Sequence, residues 1–239
     1  YTVLRNINGI FYDNNYKKID LDQAALLMEK EETVITKPTI DSGKGKNIRV
    51  YSSKEGLGSI IRDYSSNYLV QRIVKQHDAL SKFNASSVNT FRVMSWRSDQ
   101  DVYVVAAILR VGKPGHVVDN ISAGGYGFCI SSEGCLSGPA RNKAGRIVKT
   151  AETWNGERNI FAEHYKKIVA SVKELHDELP YFGIVAWDIT IDKNGSPVLI
   201  EYNLQTPGLH LLQVLCGTFD GEVADKLLLE AKKRDEYGK

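Results

Sequence analysis

The stretch Phe182–Asn203, which reads FGIVAWDITIDKNGSPVLIEYN, has the composition of a β-hairpin. Two runs rich in β-branched and aromatic residues flank the dipeptide Asn194-Gly195. This dipeptide favours a type I′ turn, because both central residues of that turn have positive φ. A two-residue loop would place Lys193 opposite Ser196 and would fix the register of the two strands.

The hairpin is predicted to bring three oxygen-bearing side chains to one face of a sheet. Counting outward from the turn places Asp188 opposite Glu201, and Asn203 shares the face of Glu201 because strand side chains alternate. Two facing carboxylates repel each other, so a buried pair needs a proton or a cation, and three oxygen ligands suit Mg²⁺. The alternative is a solvated acidic face, which the apolar residues of both strands disfavour: Trp187, Ile189, Ile191 and Leu199.

Length and composition limit the class of protein. The chain has 239 residues, of which 42% are hydrophobic, so it can bury a core as one large domain or as two lobes. The net charge of +2 gives no electrostatic footprint for nucleic acid. No apolar run reaches the roughly 18 residues of a membrane span. The chain starts at Tyr1 without an initiator Met or a signal peptide, so we expect a fragment or a trimmed form of a cytoplasmic protein.

The three cysteines, Cys129, Cys135 and Cys216, are odd in number and form no CxxC pair. Metal sites and disulfide frameworks normally show paired cysteines at short or regular spacings. We therefore predict reduced thiols in a cytoplasmic protein, with neither a zinc site nor a disulfide.

Hydrophobic periodicity predicts an α+β fold with antiparallel sheets, because strands dominate the middle of the chain and helices flank both ends. The predicted helices cover residues 20–31, 57–64, 161–179, 209–215 and 222–234, and Gln23 completes a capping box in the first of them. The predicted strands cover residues 33–37, 47–52, 68–74 and the two halves of 90–111, around a turn at 98–101. The polar segment 135–156 is predicted to be an irregular, mobile flap.

A loop rich in glycine and lysine follows the short β run that ends in Lys37. Its glycines would let backbone N–H groups approach phosphate oxygens, and its lysines would neutralise their charge. The loop lacks the GxxxxGK[ST] spacing of a Walker A motif, so by itself it also fits a solvated turn. Lys37 could point at the same phosphates or be a surface cation at the strand end. The loop residues are Ser42, Gly43, Lys44, Gly45 and Lys46.

In this order, Lys37, the glycine loop and the acidic hairpin resemble the ATP-grasp superfamily over about residues 33–213. Within that superfamily, the chain is most similar to the sugar-transfer-associated ATP-grasp proteins of bacterial surface-polysaccharide loci. The likeness rests on three segments: SVNTFRV at 87–93, Arg110 with Asp119-Asn120 and Gly124-Gly125, and Glu201-Tyr-Asn203 before Pro207-Gly208. It implies two α+β lobes with antiparallel sheets that clasp the nucleotide. Residues 1–75 would form the small lobe with a remnant N-terminal segment, and residues 76–239 the large lobe with the metal site.

The resemblance also implies which residues bind ATP. Lys37 would contact the α- and β-phosphates, and the glycine loop would cover the triphosphate. Gln71, Arg72, Ile73 and Val74 would line the adenine slot, although most relatives carry Glu at the position of Gln71. Asp78 would bind the ribose hydroxyls. Asp188, Glu201 and Asn203 would hold Mg²⁺ between the β- and γ-phosphates.

Two arginines on predicted strands are the candidate catalytic residues. Arg92 is assigned by the resemblance to the γ-phosphate or an acyl-phosphate, and Arg110 to the acceptor pocket, since a guanidinium is a planar fork for such anions. The alternative for both is a surface charge on a strand. The candidate substrate-binding residues are Asn120, Gly124, Gly125, Pro207, Gly208 and His210.

The resemblance implies an ADP-forming ligase. A substrate carboxylate would attack the γ-phosphate to give an acyl-phosphate, and an amine, hydroxyl or thiol of a small or sugar-linked acceptor would then displace phosphate. The alternatives are a kinase on the same fold and a nucleotide-binding module without catalysis. Two departures bear on the reaction: only a short segment precedes Lys37, and Ala186 stands where many amino-acid ligases of the superfamily carry Arg.

Overall fold

A computed structural model describes residues 1–40, 45–99, 101–148, 158–205, 207–218 and 221–237, with side chains to residue 233. Ser42, Gly43 and Lys44 of the glycine loop lie outside the described residues. The chain divides into two compact units, Tyr1–Val74 and Lys75–Lys239. Each unit contains a six-stranded sheet with helices, and all the strand pairs described are antiparallel. The predicted α+β class is confirmed. None of the helices in the described ranges has the length and apolar composition to cross a bilayer.

The described residues of the first unit form six strands and two α-helices. The strands are β1 (Thr2–Ile7), β2 (Ile10–Tyr12), β3 (Lys18–Ile19), β4 (Thr33–Pro38), β5 (Arg49–Ser52) and β6 (Tyr68–Arg72). The helices are α1 (Leu21–Glu29) and α2 (Gly56–Tyr64). The strand order is β3-β2-β1-β6-β4-β5. The predicted capping box at α1 is confirmed, because Asp20 and Gln23 hydrogen-bond each other's backbone N–H.

The first twenty residues are more than the remnant segment that was expected. They form three of the six strands, and β1 pairs with β6 in the middle of the sheet. Leu4 of β1 is fully buried beside Val70 and belongs to the same core as Met28 of α1 and Ile60 of α2. The alternation of apolar residues in β1 is short, so the pairing with distant β6 determines this structure more than local propensity does.

In the second unit, the part of the chain that the structure describes forms the other six strands and four α-helices. The strands are β7 (Thr90–Arg97), β8 (Val102–Val111), β9 (Tyr126–Ile130), β10 (Leu136–Arg141), β11 (Ile184–Ile191) and β12 (Pro197–Asn203). The helices are α3 (Asp78–Ser81), α4 (Ala162–Asp177), α5 (Leu209–Cys216) and α6 (Glu222–Tyr237). The strand order is β10-β9-β8-β7-β11-β12. Strand β10 corrects the prediction of an irregular flap over 135–156, because residues 136–141 pair with β9.

The two faces of this second sheet have different partners. One face carries Phe91, Leu109 and Trp187 into a large apolar core with α4. The opposite face carries Met94 and Ile108 into a smaller core with α5. Because side chains alternate along a strand, the charged residues Arg92, Arg110 and Asp188 share the second face.

A network of buried amides holds the start of β7. The side chain of Asn89 donates to the carbonyl groups of Leu80 and Asn84, and Gln76 accepts from the backbone N–H of Asn89. Asn84 in turn donates to the carbonyl of Gly112 at the end of β8. Buried polar groups that are fully paired favour one arrangement of the chain. This network therefore fixes the start of β7 and the end of β8, next to the charged residues Arg92 and Arg110.

The turn of the acidic hairpin differs from the prediction. Asp192 donates its N–H to the carbonyl of Ser196, so the loop contains three residues and not two. Gly195 has φ +77°, whereas Asn194 is not among the residues with positive φ, which rules out a type I′ turn. The predicted pairing of Lys193 with Ser196 is therefore wrong.

The pairing of Asp188 with Glu201 is nevertheless confirmed. Ile189 pairs with Leu199, so the register shifts between that pair and Asp188–Glu201 and leaves Ile200 as an extra residue. Such a bulge moves the following side chains by one position. The extra residue in β12 compensates for the extra residue in the turn. The prediction included neither, and the two errors cancel at the pair Asp188–Glu201.

The cysteines also differ from the prediction. Cys129 on β9 and Cys216 at the end of α5 form a disulfide, with their Cα atoms 5.0 Å apart, and Cys135 is free. The packing of α5 against β9 brings the two sulfurs together across 87 residues of sequence. A separation of this size gives no local spacing signal, so the sequence could not reveal the pair.

Candidate functional site

Arg92 and Asp188 form a buried ion pair at the centre of the charged face. They are directly opposite each other on β7 and β11. Arg92 donates from Nε to Oδ1 of Asp188 at 2.8 Å and from Nη2 to Oδ2 at 2.7 Å. The side chain of Arg92 is 12% exposed and that of Asp188 is 0% exposed. This two-point contact fixes both side chains and shows that Arg92 is not a surface charge.

Arg110 extends the row of charges on the other side of Arg92. Its Nη2 lies 3.1 Å from Oδ2 of Asp188, and the same guanidinium donates to both carboxylate oxygens of Asp119. It also donates to the hydroxyl of Thr90, which in turn donates to Asp119. With a side chain only 11% exposed, Arg110 is not a surface charge either.

Glu201 and Asn203 complete the row on the edge strand β12. Oε1 of Glu201 lies 4.0 Å from Nη2 of Arg92, and its side chain is 57% exposed. Asn203 pairs with Ala186, so its side chain lies on the same face as Glu201. Its amide nitrogen is buried and has no hydrogen-bond partner within the described residues. The predicted trio therefore converges on one face, with arginines beside it.

The surroundings shift the pKa values of the two facing carboxylates, Asp188 and Glu201, in opposite directions. Burial alone would raise the pKa of Asp188, but the guanidinium groups of Arg110 and Arg92 hold that pKa below its usual value. Loss of hydration and the neighbouring Asp188 carboxylate raise the pKa of Glu201, and Arg110 and Arg92 offset this only in part. Asp188 is the firmly ionised member of the pair.

The donor set fits a hard divalent cation. Asp188, Glu201 and Asn203 offer carboxylate and amide oxygens, which Mg²⁺ prefers over nitrogen or sulfur ligands. The buried amide nitrogen of Asn203 has no partner within the described residues; as a hydrogen-bond donor it would be satisfied by an acceptor such as a phosphate oxygen and not by a cation. The described residues contain no cluster of three or more His, Cys, Asp or Glu side chains that could hold a metal by itself. A metal at this site would therefore need the amide oxygen and ligands from solvent or substrate.

The predicted substrate residues after β12 lie beside Arg92. Gly208 caps the start of α5 with φ +81°, and a Cβ atom there would be 3.1 Å from Nη1 of Arg92. Pro207 precedes it and is half-buried, and His210 is exposed in the first turn of α5. The glycine therefore leaves room for the guanidinium, which links the Pro207-Gly208 motif to the charged row.

The other predicted substrate residues have roles in the backbone between β8 and β9. Asn120 caps a short 3₁₀ turn by accepting the N–H of Ser122, and Gly124 ends this turn with φ +100°. Gly125 is buried, and a Cβ atom there would be 2.5 Å from the carbonyl oxygen of Val111. These local requirements explain the residue types without a ligand, so their binding role remains a prediction.

The described ATP-binding candidates other than Asp78 lie in the first unit. Lys37 on β4 is half-buried, and it shares a sheet face with Gln71 on β6 through the pairs Lys37–Leu69 and Ile35–Gln71. Gly45 has φ +72°, and Lys46 is exposed. Their roles toward a nucleotide remain predictions.

The segment predicted to line the adenine slot begins at the end of β6. Arg72 donates its backbone N–H to the carbonyl of Tyr1 and its side chain to Glu31, so these groups have partners within the first unit. Ile73 is half-buried and Val74 is buried. Asp78, in the second unit, is exposed in the first turn of α3.

Two residues of the charged row were missed as site residues by sequence reasoning. Asp119 is 8% exposed and Thr90 is 2% exposed, and both bind the guanidinium of Arg110. The Asp119-Asn120 pair was part of the segment that resembles the family, but only the sheet brings Asp119 to Thr90, 29 residues earlier in the chain. In the sequence, Asp119 lies between the apolar strand β8 and the pair Gly124-Gly125. A carboxylate in that position is the pattern that could have predicted its role.

Comparison with known proteins agrees with these features. A family model described as sugar-transfer associated ATP-grasp matches residues 25–220. No curated protein sequence matches the chain significantly.

Solved structures are similar to this chain at low sequence identity. D-alanyl-alanine synthetase A from Vibrio cholerae aligns with a TM-score of 0.50 and 10% identity over 87% of this chain and 54% of that chain. An N5-carboxyaminoimidazole ribonucleotide synthetase in complex with ADP aligns with a TM-score of 0.47 and 16% identity over 77% and 37%. An L-amino acid ligase from Bacillus licheniformis gives 0.44 and 11% over 86% and 38%. The chain thus spans between 37% and 54% of the length of these structures.

Proposed function

Because the chain belongs to the sugar-transfer-associated ATP-grasp family, we propose that it is an ADP-forming ligase that joins a carboxylate to an amine, or to a hydroxyl or thiol, through an acyl-phosphate. The acceptor would be a small or sugar-linked molecule of cell-surface polysaccharide or related synthesis. The proposed site of action is the cytoplasm, where ATP is available. The proposed lobes are residues 1–75, with the glycine loop, and residues 76–239, with the metal site.

One observation carries the proposal: Asp188, Glu201 and Asn203 share a sheet face on which two buried arginines also lie. Transfer of a phosphoryl group depends on charge neutralisation and positioning more than on a protein nucleophile. A row that combines carboxylates for a cation with guanidinium groups for an anion supplies both. The buried amide nitrogen of Asn203 adds a hydrogen-bond donor for a phosphate oxygen on the same face.

Each residue has a defined task in this proposal. Asp188, Glu201 and the oxygen of Asn203 would hold Mg²⁺, which neutralises the β- and γ-phosphates when it is bound. Arg92 would bind the transferred phosphoryl group by its two-point fork. Arg110, held by Asp119, would orient the acid. It would replace the arginine that many amino-acid ligases of the superfamily carry at the position of Ala186.

The first unit would supply the contacts to the nucleotide. Lys37 would neutralise the inner phosphates, and the glycine loop would close over them. Lys37→Met is expected to weaken the binding of a fluorescent ATP analogue by about tenfold or more, since a charge-assisted contact to phosphate is lost. Lys18→Met is the matched control, because Lys18 is an exposed lysine on β3 of the same sheet and has no proposed role. Equal affinity of the two variants would remove Lys37 from the site.

The reaction itself is tested by the products formed from ATP. We expect Mg²⁺-dependent release of ADP with a panel of acids, and a hydroxamate when hydroxylamine is added, because hydroxylamine captures an acyl-phosphate. A stable phosphorylated product without hydroxamate would instead identify a kinase. Tight ATP binding without turnover, using the full-length protein, would identify a non-catalytic nucleotide-binding module. Glu201→Gln should abolish ADP release, and full activity of this variant would contradict the metal assignment.

A further inference from the structure

The guanidinium of Arg92 lies between the two carboxylates that are proposed to hold the metal. Its Nη2 is 2.7 Å from Oδ2 of Asp188 and 4.0 Å from Oε1 of Glu201. A carboxylate has about four lone-pair sites. Asp188 already accepts two N–H groups from Arg92 and lies 3.1 Å from Nη2 of Arg110. A cation held by both Asp188 and Glu201 would need the place that the Arg92 guanidinium occupies between them.

The two guanidinium groups differ in how much they depend on Asp188. Arg110 retains both oxygens of Asp119 and the hydroxyl of Thr90, so its charge stays paired without Asp188. Within the described residues, the polar partners recorded for the Arg92 side chain are Asp188 and, at 4.0 Å, Glu201. Arg92 is therefore the cation at the proposed metal position, and among the described residues its charge is paired only with the two carboxylates that would hold the metal.

We infer that Arg92 is a resident counter-ion that stands in for the divalent cation and leaves Asp188 only when the metal arrives together with a polyphosphate. This inference rests on the proposed function. A divalent metal alone would add two positive charges beside Arg92, whose side chain is only 12% exposed and would lose its carboxylate partners. A polyphosphate offers the displaced guanidinium a new two-point acceptor.

Metal and nucleotide should therefore bind with strong positive coupling. Each ligand alone faces the intact Arg92–Asp188 pair, whereas both together replace it with a metal–carboxylate and a guanidinium–phosphate contact. Coupling of binding is reciprocal, so the nucleotide should raise the metal affinity by the same factor as the metal raises the nucleotide affinity. Arg92 thus couples the binding of the two ligands and keeps the site from filling with free metal.

The test measures Mn²⁺ binding by electron paramagnetic resonance and water-proton relaxation, without turnover. For the wild type we expect weak binding of Mn²⁺ alone and at least about tenfold tighter binding with a non-hydrolysable ATP analogue. Arg92→Met should bind Mn²⁺ alone at least about tenfold more tightly than the wild type, with a smaller effect of the analogue. Arg97→Met is the control, since Arg97 is on the same strand but pairs with Asp177 and the carbonyl of His176.

A second variant covers the case in which Arg92→Met does not fold. Arg92→Lys keeps the charge but loses the fork, so its affinity for Mn²⁺ alone should lie between the other two. Equal affinity of wild type, Arg92→Lys and Arg92→Met for Mn²⁺ alone, with binding retained in the presence of the analogue, would overturn the inference and leave the proposed function intact. If no variant binds Mn²⁺ even with the analogue, the metal assignment of the proposed function falls, and the inference falls with it.

Discussion

The substitution Asp188→Asn probes the physical basis of the site by a change of charge at constant shape. Asp188 is fully buried, accepts two hydrogen bonds from Arg92 and pairs with Arg110 at 3.1 Å. Asparagine fills the same volume, so no cavity forms, but its NH₂ group cannot accept from a guanidinium. The variant therefore isolates the loss of one buried negative charge between two positive charges.

The expected loss of stability follows from these contacts. Removal of one partner from a buried ion pair costs about 3–5 kcal/mol, because the other charge stays desolvated without compensation. Arg110 keeps its contacts with Asp119, and Arg92 keeps Glu201 at 4.0 Å. We therefore expect the lower end, about 3 kcal/mol. Since domains are stable by roughly 5–15 kcal/mol, the variant should still fold.

The measurement is urea unfolding followed by tryptophan fluorescence. The three tryptophans are at positions 96, 154 and 187, all in the second unit, so the signal reports on that unit and not on the first. The control is Asp177→Asn, whose partner Arg97 lies at 3.0 Å but whose own side chain is 66% exposed, so the loss should stay below about 1 kcal/mol. If Asp188→Asn costs no more than this control, Asp188 is not the buried counter-charge of the two arginines.

Three further predictions concern packing, pH and the disulfide. Gly125→Ala should lower the free energy of unfolding by about 1–3 kcal/mol, because its Cβ would lie 2.5 Å from the carbonyl oxygen of Val111 on β8. Gly183→Ala in the same unit, where an added Cβ meets no described atom within 4 Å, should change it by less than about 0.5 kcal/mol in the same urea assay. Burial lowers the pKa of His176 in the folded protein, so as the pH falls the unfolded chain binds this proton at a higher pH than the folded chain does. The free energy of unfolding should therefore fall between pH 7 and pH 5, and it should fall less steeply in His176→Gln. Thiol titration of the unreduced protein should find one free cysteine, and reduction of Cys129–Cys216 should cost about 2–4 kcal/mol of stability; three free thiols before reduction would contradict the pairing.

The sequence specified the parts of the fold that depend on short-range patterns. The capping box of α1 and the pairing of β7 with β8 around a polar turn were predicted and are present. Each depends on residues close in sequence, such as Asp20 with Gln23, whose physical chemistry is the same in any fold. The face shared by Asp188 and Glu201 was also predicted, since alternation along a strand is a local rule.

The tertiary structure decided what depends on distant segments. The sequence indicated that facing carboxylates need a positive charge, but only the pairing of β11 with β7, nearly a hundred residues apart, shows that Arg92 already provides it. The Cys129–Cys216 bridge and the entry of β1 into the sheet arise in the same way. Local propensity carries no information on which strand lies beside which, because that choice is made by the burial of whole faces against one another.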